Sequence, residues 1–467
     1  MEKKIQAGDY LALLGVALLT FVGILGETAL NVTYPALAKQ FAISLDTTQW
    51  LTAGYLLTVT IMMGATAYLL KRFPARVLQL VAVIAFIVGD LAAALAPTFA
   101  VLMIARLFQA VATGLATPMF FNLIFTLVPR EKLGMMTGIA GMVISFAPAL
   151  GPTYGGWVET ALNWRWIFWF ILPVALISLV LGQLFIRHQP AQHPAGFNLA
   201  AFLTLALAMI SWIYGLSLIG SGGSPLARWG FLALAVALFC LFGWLNFRGK
   251  THLMDLRIFK QAAVSLDGLT YFCLQFINIG LSLVIPIYAQ YTLHSSSFVA
   301  GLILLPGTVL GAITSPLAGT LADRFGFALP VLSGSCFLTI GAAIFYFTQA
   351  QLSVVGIMVT FILLRVGFNL AFSNTISNAS TQVAVQNAAD VSAIFNMLQQ
   401  FAGATGVVFL ASLMAVYENQ TWGTMASRTA AGGRVDFALT FALALVVLCA
   451  NLVNYHFQAH RKQASAA

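Results

Sequence analysis

Fourteen apolar runs, each about the 20 residues a helix needs to cross a bilayer, occupy this chain almost from end to end. They fall near residues 10–33, 48–70, 76–96, 99–126, 133–156, 165–186, 199–220, 228–247, 263–290, 298–320, 328–349, 352–375, 391–416 and 436–457. With 60% of residues hydrophobic, 7% charged and a mean hydropathy of +0.94, a water-soluble core could not bury them, so the expected fold class is an all-α polytopic membrane protein. The net charge of +9 comes from basic residues scattered singly between the runs, which suits topology and not nucleic acid. Cys240, Cys273, Cys336 and Cys449 lie inside apolar runs without clustering, so neither a disulfide framework nor a metal site is implied. Lys3 and Lys4 before the first run imitate a signal peptide, but that run is long, lacks a small-residue cleavage pattern and precedes many like it. It is read as a retained first span.

An even number of spans places both termini on one side. With Met1 in the cytoplasm, Lys3, Lys4, Lys71, Arg72, Arg76, Arg130, Lys132, Arg187, Arg248, Lys250, Arg257, Lys260, Arg324, Arg461 and Lys462 are inside. Lys39, Arg165, Arg228, Arg428 and Arg434 are outside, an asymmetry that satisfies the positive-inside rule for a multi-pass protein of the cytoplasmic membrane. Arg106 and Arg365 fall within spans.

Laying the first six spans over the last six exposes a repeat. Arg72-Phe73 follows the second span as Arg324-Phe325 follows the tenth, and Arg106 and Arg365 each occupy the fourth span of their half. The expected organisation is a six-helix half over 1–190, two inserted helices over 191–260 and a second six-helix half over 261–467. Two such halves around a central site form the plan of a rocking transporter.

The fifth span carries Ala147-Pro148-Ala149-Leu150-Gly151-Pro152-Thr153-Tyr154-Gly155-Gly156. Proline removes a backbone donor and bends a helix, while Gly151 and Gly155, four apart, allow another helix to approach closely. A passive anchor requires neither; tight packing alone and a gating contact both remain open.

These motifs resemble the major facilitator superfamily, and within it the fourteen-span drug:proton antiporters of the QacA/EmrB-like type. Gly319-Thr320-Leu321-Ala322-Asp323-Arg324-Phe325-Gly326 resembles the superfamily's cytoplasmic loop motif, Arg106-Leu107-Phe108-Gln109 its fourth-span arginine motif, and Ala147 to Gly156 the antiporter motif of the fifth span. Trp164 to Phe168 with Pro173, Met254 to Phe259, and Asn396 to Gly406 are similar to features of the fourteen-span branch. There are departures. Lys71 stands where the first-half loop motif has an acid, Gly26 stands where the branch has an aspartate, with Glu27 following, and Ala110 replaces a commoner glycine. The resemblance implies a major facilitator fold, two six-helix halves plus two extra central helices, with the fifth span between the halves.

Glu27, Asp90 and Asp267 are the acids placed within spans; the others, Glu418 and Asp436 among them, are placed in loops or at span ends. Ionisable groups in hydrocarbon are costly and normally serve pairing or transport. By helical rise, Glu27, Asp90 and Arg106 lie in one layer roughly 10 to 14 Å below the outer surface. The tight turn Ala96-Pro97-Thr98 could bring Asp90 opposite Arg106, either as a structural ion pair or as a proton-transfer partner. Glu27 has no basic neighbour in its span and is the candidate for proton coupling or cation binding, a satisfied buried acid being the alternative. Mutual exclusion of proton and cationic drug at one carboxylate suffices for antiport. Asp267, seven residues beyond Lys260, reads as an interfacial acid, or as a partner for Arg365 across the second half.

Candidate cavity residues are polar or aromatic side chains on spans that the resembled fold turns inward: Asn31, Tyr34, Trp50, Tyr55, Gln109, Phe120, Asn122, Tyr271, Gln275, Asn278, Asn369, Asn374, Asn396 and Gln400. Asp323 and Arg324 read as a gate, with a solvated loop as the alternative. No nucleotide-binding loop, HExxH or nucleophile constellation is present, so the chain is not expected to be an enzyme and needs no cofactor. The resulting expectation is a monomeric antiporter that exports lipophilic, cationic or weakly basic drugs, its partners being those drugs, protons and the bilayer. It is driven by the proton gradient. Each charge moved inward is worth about 2.3 kcal/mol per 100 mV. A dedicated exporter of one metabolite, lipid or antibiotic such as a lincosamide is the alternative. A non-transporting receptor or scaffold would have no use for Glu27 and Asp90.

Overall fold

In the computed structural model the described residues are 6–187, 196–248, 253–383 and 388–466. Lys3, Lys4 and Lys250, used above for topology, and the boundary at 190/191 lie outside them. The chain is helical throughout: α1 Ala7–Ala29, α2 Tyr34–Phe41, α3 Leu45–Thr48, α4 Trp50–Arg72, α5 Ala75–Ala94, α6 Phe99–Leu127, α7 Arg130–Ala161 and α8 Arg165–Phe185 come first. Next are α9 Leu199–Ser217, α10 Pro225–Arg248, α11 Ala262–Thr292, α12 Ser297–Leu302, α13 Leu305–Phe325, α14 Ala328–Thr348, α15 Val354–Thr381, α16 Ala388–Glu418 and α17 Met425–Ala466.

Among the described residues, twelve helical segments are long and apolar enough to cross a membrane. α4 contributes a shorter apolar stretch, Trp50–Thr66, and α7 a further long helix at the position of the fifth run. The medium around them is legible in α5. Its buried stripe, Leu78, Ala82, Phe86 and Ala93, is matched by an exposed stripe, Val77, Val81, Ile84 and Val88, that is just as apolar. A helix hydrophobic all round but buried on one side only faces lipid on the other.

The chain forms two compact units, Met1–Phe202 with Ser296–Gly301, and Leu203–Ser295 with Leu302–Ala467. Within the first, α1 packs on α6, α7 and α8, α5 on α6 and α8, and α4 on α6. Within the second, α11 packs on α15, α16 and α17, α14 on α15 and α17, and α13 on α15. Shifting each helix of the first set to its counterpart reproduces the second, so the repeat seen in the sequence is a repeat of packing. α9 and α10 meet through Tyr214 and Phe231, whose rings lie 4.7 Å apart, and belong almost entirely to the second unit.

Candidate functional site

The first unit encloses a polar layer. The turn between α5 and α6 is pinned by Thr98, whose hydroxyl accepts from the Val101 N–H at 3.4 Å, and by Arg165, which donates to the Ala96 carbonyl at 2.8 Å. Just inside that turn Gly89 lets the two helices close: a Cβ there would sit 2.6 Å from the Ala105 carbonyl oxygen and 2.9 Å from Gln109 Cγ. Asp90, 1% exposed, therefore reaches Gln109, whose amide donates to Asp90 Oδ1 at 2.8 Å. The carbonyl end of the same amide accepts from Arg106 Nη1 at 2.7 Å. The expected direct pair of Asp90 and Arg106 is thus replaced by a relay through Gln109, because Gln109 lies one turn beyond Arg106 on the same face and fills the gap between the charges.

The Arg106 guanidinium, 1% exposed, lies 4.2 Å over the Tyr55 ring. That hydroxyl donates to the Gly23 carbonyl at 2.9 Å and is 2.6 Å from Thr113 Oγ1, tying α4 to α1 and α6. Glu27 stands one turn beyond Gly23 on α1, 4% exposed, within electrostatic reach of Arg106. No hydrogen bond or ion pair engages its carboxylate among the described residues. Just past the end of α1, Thr52 donates to Asn31 Oδ1 at 2.7 Å and pairs closely with the Tyr34 hydroxyl, so both side chains are committed to a buried knot.

The fifth-span motif packs with its glycines. A Cβ on Gly151 would overlap Thr28 Oγ1, and one on Gly155 would overlap the Ala29 carbonyl oxygen, so α7 lies directly on the end of α1 where Glu27 sits. Gly156 makes the same kind of contact with the Ser297 carbonyl, and Thr153 donates to the Gly301 carbonyl at 3.4 Å. Pro152 is buried and Pro148 half-buried.

In the second unit Asp267 is fully buried, in the second turn of α11. It accepts from Asn378 at 2.7 Å through Oδ2 and from Asn454 at 2.8 Å through Oδ1. Arg365 is not its partner. That guanidinium binds Asn278 and lies 5.3 Å from the Phe368 ring centroid, while its carbonyl accepts from Asn369 at 2.9 Å. Asp267 is about three helical turns closer to the start of α11 than Asn278, and Asn378 more than three turns beyond Arg365, so the two charges occupy different levels.

A model of the major facilitator superfamily matches residues 16–407. The chain belongs to the major facilitator superfamily. It is 33% identical over 445 residues to the lincomycin resistance protein LmrB of Listeria monocytogenes, covering 93% of each chain. It is 32% identical over 455 residues to LmrB of Bacillus subtilis, covering 95% of each. A multidrug resistance protein B homolog of Mycobacterium tuberculosis is 29% identical over 403 residues, 84% of this chain and 74% of that one. Among solved structures, a bacterial homolog of the human lysosomal transporter Spinster (TM-score 0.69, 97% of this chain and 98% of that one) and a D-xylose-proton symporter (TM-score 0.64, 96% of each) share the fold at 15% identity. The protein is therefore a multi-pass membrane transporter of this superfamily and not an enzyme.

Several candidate cavity residues of this superfamily member are spent on structure. Tyr271 stacks on Phe372 with centroids 4.3 Å apart and donates to Gln399 at 3.2 Å, and Asn278 donates to Gln275 at 2.9 Å. Asn374 donates to the Ala318 carbonyl at 3.2 Å, and Phe120 is buried in an apolar cluster with Met119, Leu123 and Ile124. Asn122 and Asn396 are exposed, and Trp50 and Gln400 are half-buried. Asp323 and Arg324 are exposed at the last turn of α13, Arg324 lying 5.9 Å from the Phe325 ring centroid. Gly326 closes that helix with φ +82, a conformation other residues rarely adopt.

Asp436, read from the sequence as a span-end acid, is fully buried in α17, and neither carboxylate oxygen has a hydrogen-bond partner among the described residues. Its neighbour in charge is Glu418, which accepts from Thr429 at 2.9 Å. The exposed Arg434 two residues away hid this burial. Asn378 and Asn454 were also missed, since single asparagines in apolar runs carry no pattern that points to a shared acid.

Proposed function

We propose that this transporter is a fourteen-span, proton-coupled antiporter of the drug-exporting branch, with both termini in the cytoplasm. Its cargo is lipophilic, cationic or weakly basic drugs, and it works by alternating access. The single observation that carries the reading is Glu27. It is a membrane-buried carboxyl that no hydrogen bond engages among the described residues, within electrostatic reach of Arg106, on the helix against which the glycines of the fifth-span motif lie. An acid free of fixed partners can exchange a proton for a cationic ligand, and one that is locked in a salt bridge cannot do so cheaply. The loop basic residues support the topology.

The names of the relatives favour a second, narrower reading, export of lincosamides alone. One experiment separates the two: susceptibility of cells with and without the protein to a panel of lipophilic cations and lincosamides, paired with everted vesicles holding a preset pH gradient. Several unrelated cations that protect cells and collapse the gradient establish the broad antiporter. Protection against lincosamides alone establishes the narrow one, and no response of the gradient to any drug removes proton coupling.

A further inference from the structure

The second unit holds a carboxyl that the reading above leaves unused. Asp267 is fully buried, and its two oxygens accept from two different helices, Asn378 of α15 and Asn454 of α17. Both donors are neutral, and no ion pair reaches Asp267 among the described residues. The titratable groups around it leave it without a countercharge. Tyr455 of α17 interacts with it, Tyr271 lies one turn along α11, and the charged Arg257 and Lys260 before α11 are exposed. His456 on α17 is exposed and Asp390 on α16 half-exposed, while Arg365 of α15 is committed to Asn278.

The two asparagines are not equivalent. Asn454 Oδ1 accepts from Gln458 at 3.0 Å, so its amide is fixed with its N–H toward Asp267. Among the described residues Asn378 makes no other side-chain hydrogen bond through its carbonyl oxygen, and so can reverse. A proton added to Asp267 Oδ2 would then be donated to Asn378 Oδ1, while Oδ1 of the acid keeps accepting from Asn454. The proton forms one O–H bond, the carboxylate becomes neutral, and both oxygens of the acid stay paired in both forms.

We propose that Asp267 is a second proton-carrying carboxyl of this transporter, its proton held between Oδ2 and Asn378. This rests on the proton-coupled reading and adds to it: each transport cycle would move one more proton than Glu27 alone can carry.

The test is infrared difference spectroscopy of the purified, lipid-reconstituted full chain between acidic and alkaline buffer, with ethidium-driven proton counterflow measured on the same proteoliposomes. In Glu27→Gln a protonated-carboxyl band should persist, shifting in heavy water, and it should vanish in Asp267→Asn. In Asn378→Leu it should move in frequency, because the proton has lost its acceptor, and this variant keeps the test decisive if Asp267→Asn folds poorly. The proton-to-ethidium ratio should fall by one in Asp267→Asn. Spectra of Asp267→Asn and Asn378→Leu identical to wild type would overturn the proposal. Wild type with the Asp267 band but no ethidium-driven proton flux would instead overturn the antiport reading.

Discussion

Gln109 stands between Asp90 and Arg106, donating to Asp90 Oδ1 at 2.8 Å and accepting from the guanidinium at 2.7 Å. A neutral amide thus carries the link between two buried charges, and its length and polarity decide whether either is satisfied. Replacing it with leucine keeps the volume and strands both ions. Gln109→Leu should cost about 2 to 3 kcal/mol, more than Asp90→Asn, whose remaining oxygen still accepts from Gln109. Thermal melts of the purified variants check the order.

Glu27→Gln removes the exchangeable charge and keeps the shape. Expression and melting temperature should stay close to wild type, while drug-induced collapse of a preset pH gradient in everted vesicles is lost. Undiminished collapse would exclude Glu27 from coupling.

Gly155→Ala drives a methyl into the Ala29 backbone, whereas Gly151→Ala meets first a threonine side chain, Thr28. Backbone cannot rotate away. Gly155→Ala should therefore lose drug export in a susceptibility assay at normal expression, with overpacking costs of about 1 to 3 kcal/mol. Gly151→Ala should retain part of it.

Two buried aspartates of the second unit should respond oppositely to truncation. Asp267→Ala leaves two buried amides without their acceptor and should lower stability by about 1 to 3 kcal/mol. Asp436→Ala removes a carboxyl with no hydrogen bond among the described residues and should leave the melting temperature unchanged or raise it.

Hydropathy located the long helices because lipid imposes one simple demand on every residue that faces it. Their ends were less legible: α7 runs Arg130–Ala161 beyond the apolar run at 133–156, since a helix continues past the point where apolar side chains stop. The first span continues through the turn Leu30–Thr33 into α2 rather than ending near residue 33. The repeat was visible from Arg106 and Arg365, and the packing of the two units follows it. What sequence could not supply is rotation about each helix axis. Asp267 and Asp436 are buried, and neither Lys260 nor Arg434, close to them in sequence, reports which face turns inward. Gln109 is in the motif and among the candidate cavity residues, but its role as the bridge to Asp90 depends on a direction that its helical spacing from Arg106 does not give.

Gly155 and Gly156 are adjacent, and they touch different neighbours, the backbone of Ala29 on one side and of Ser297 on the other. At this level α7 carries no side chain toward either. Interlocked side chains act as teeth that must jump from notch to notch, whereas two bare peptide surfaces present a smooth bearing. A rod seated in such a bearing meets no interlocked side chain at these two positions, and any methyl added there would be a brake.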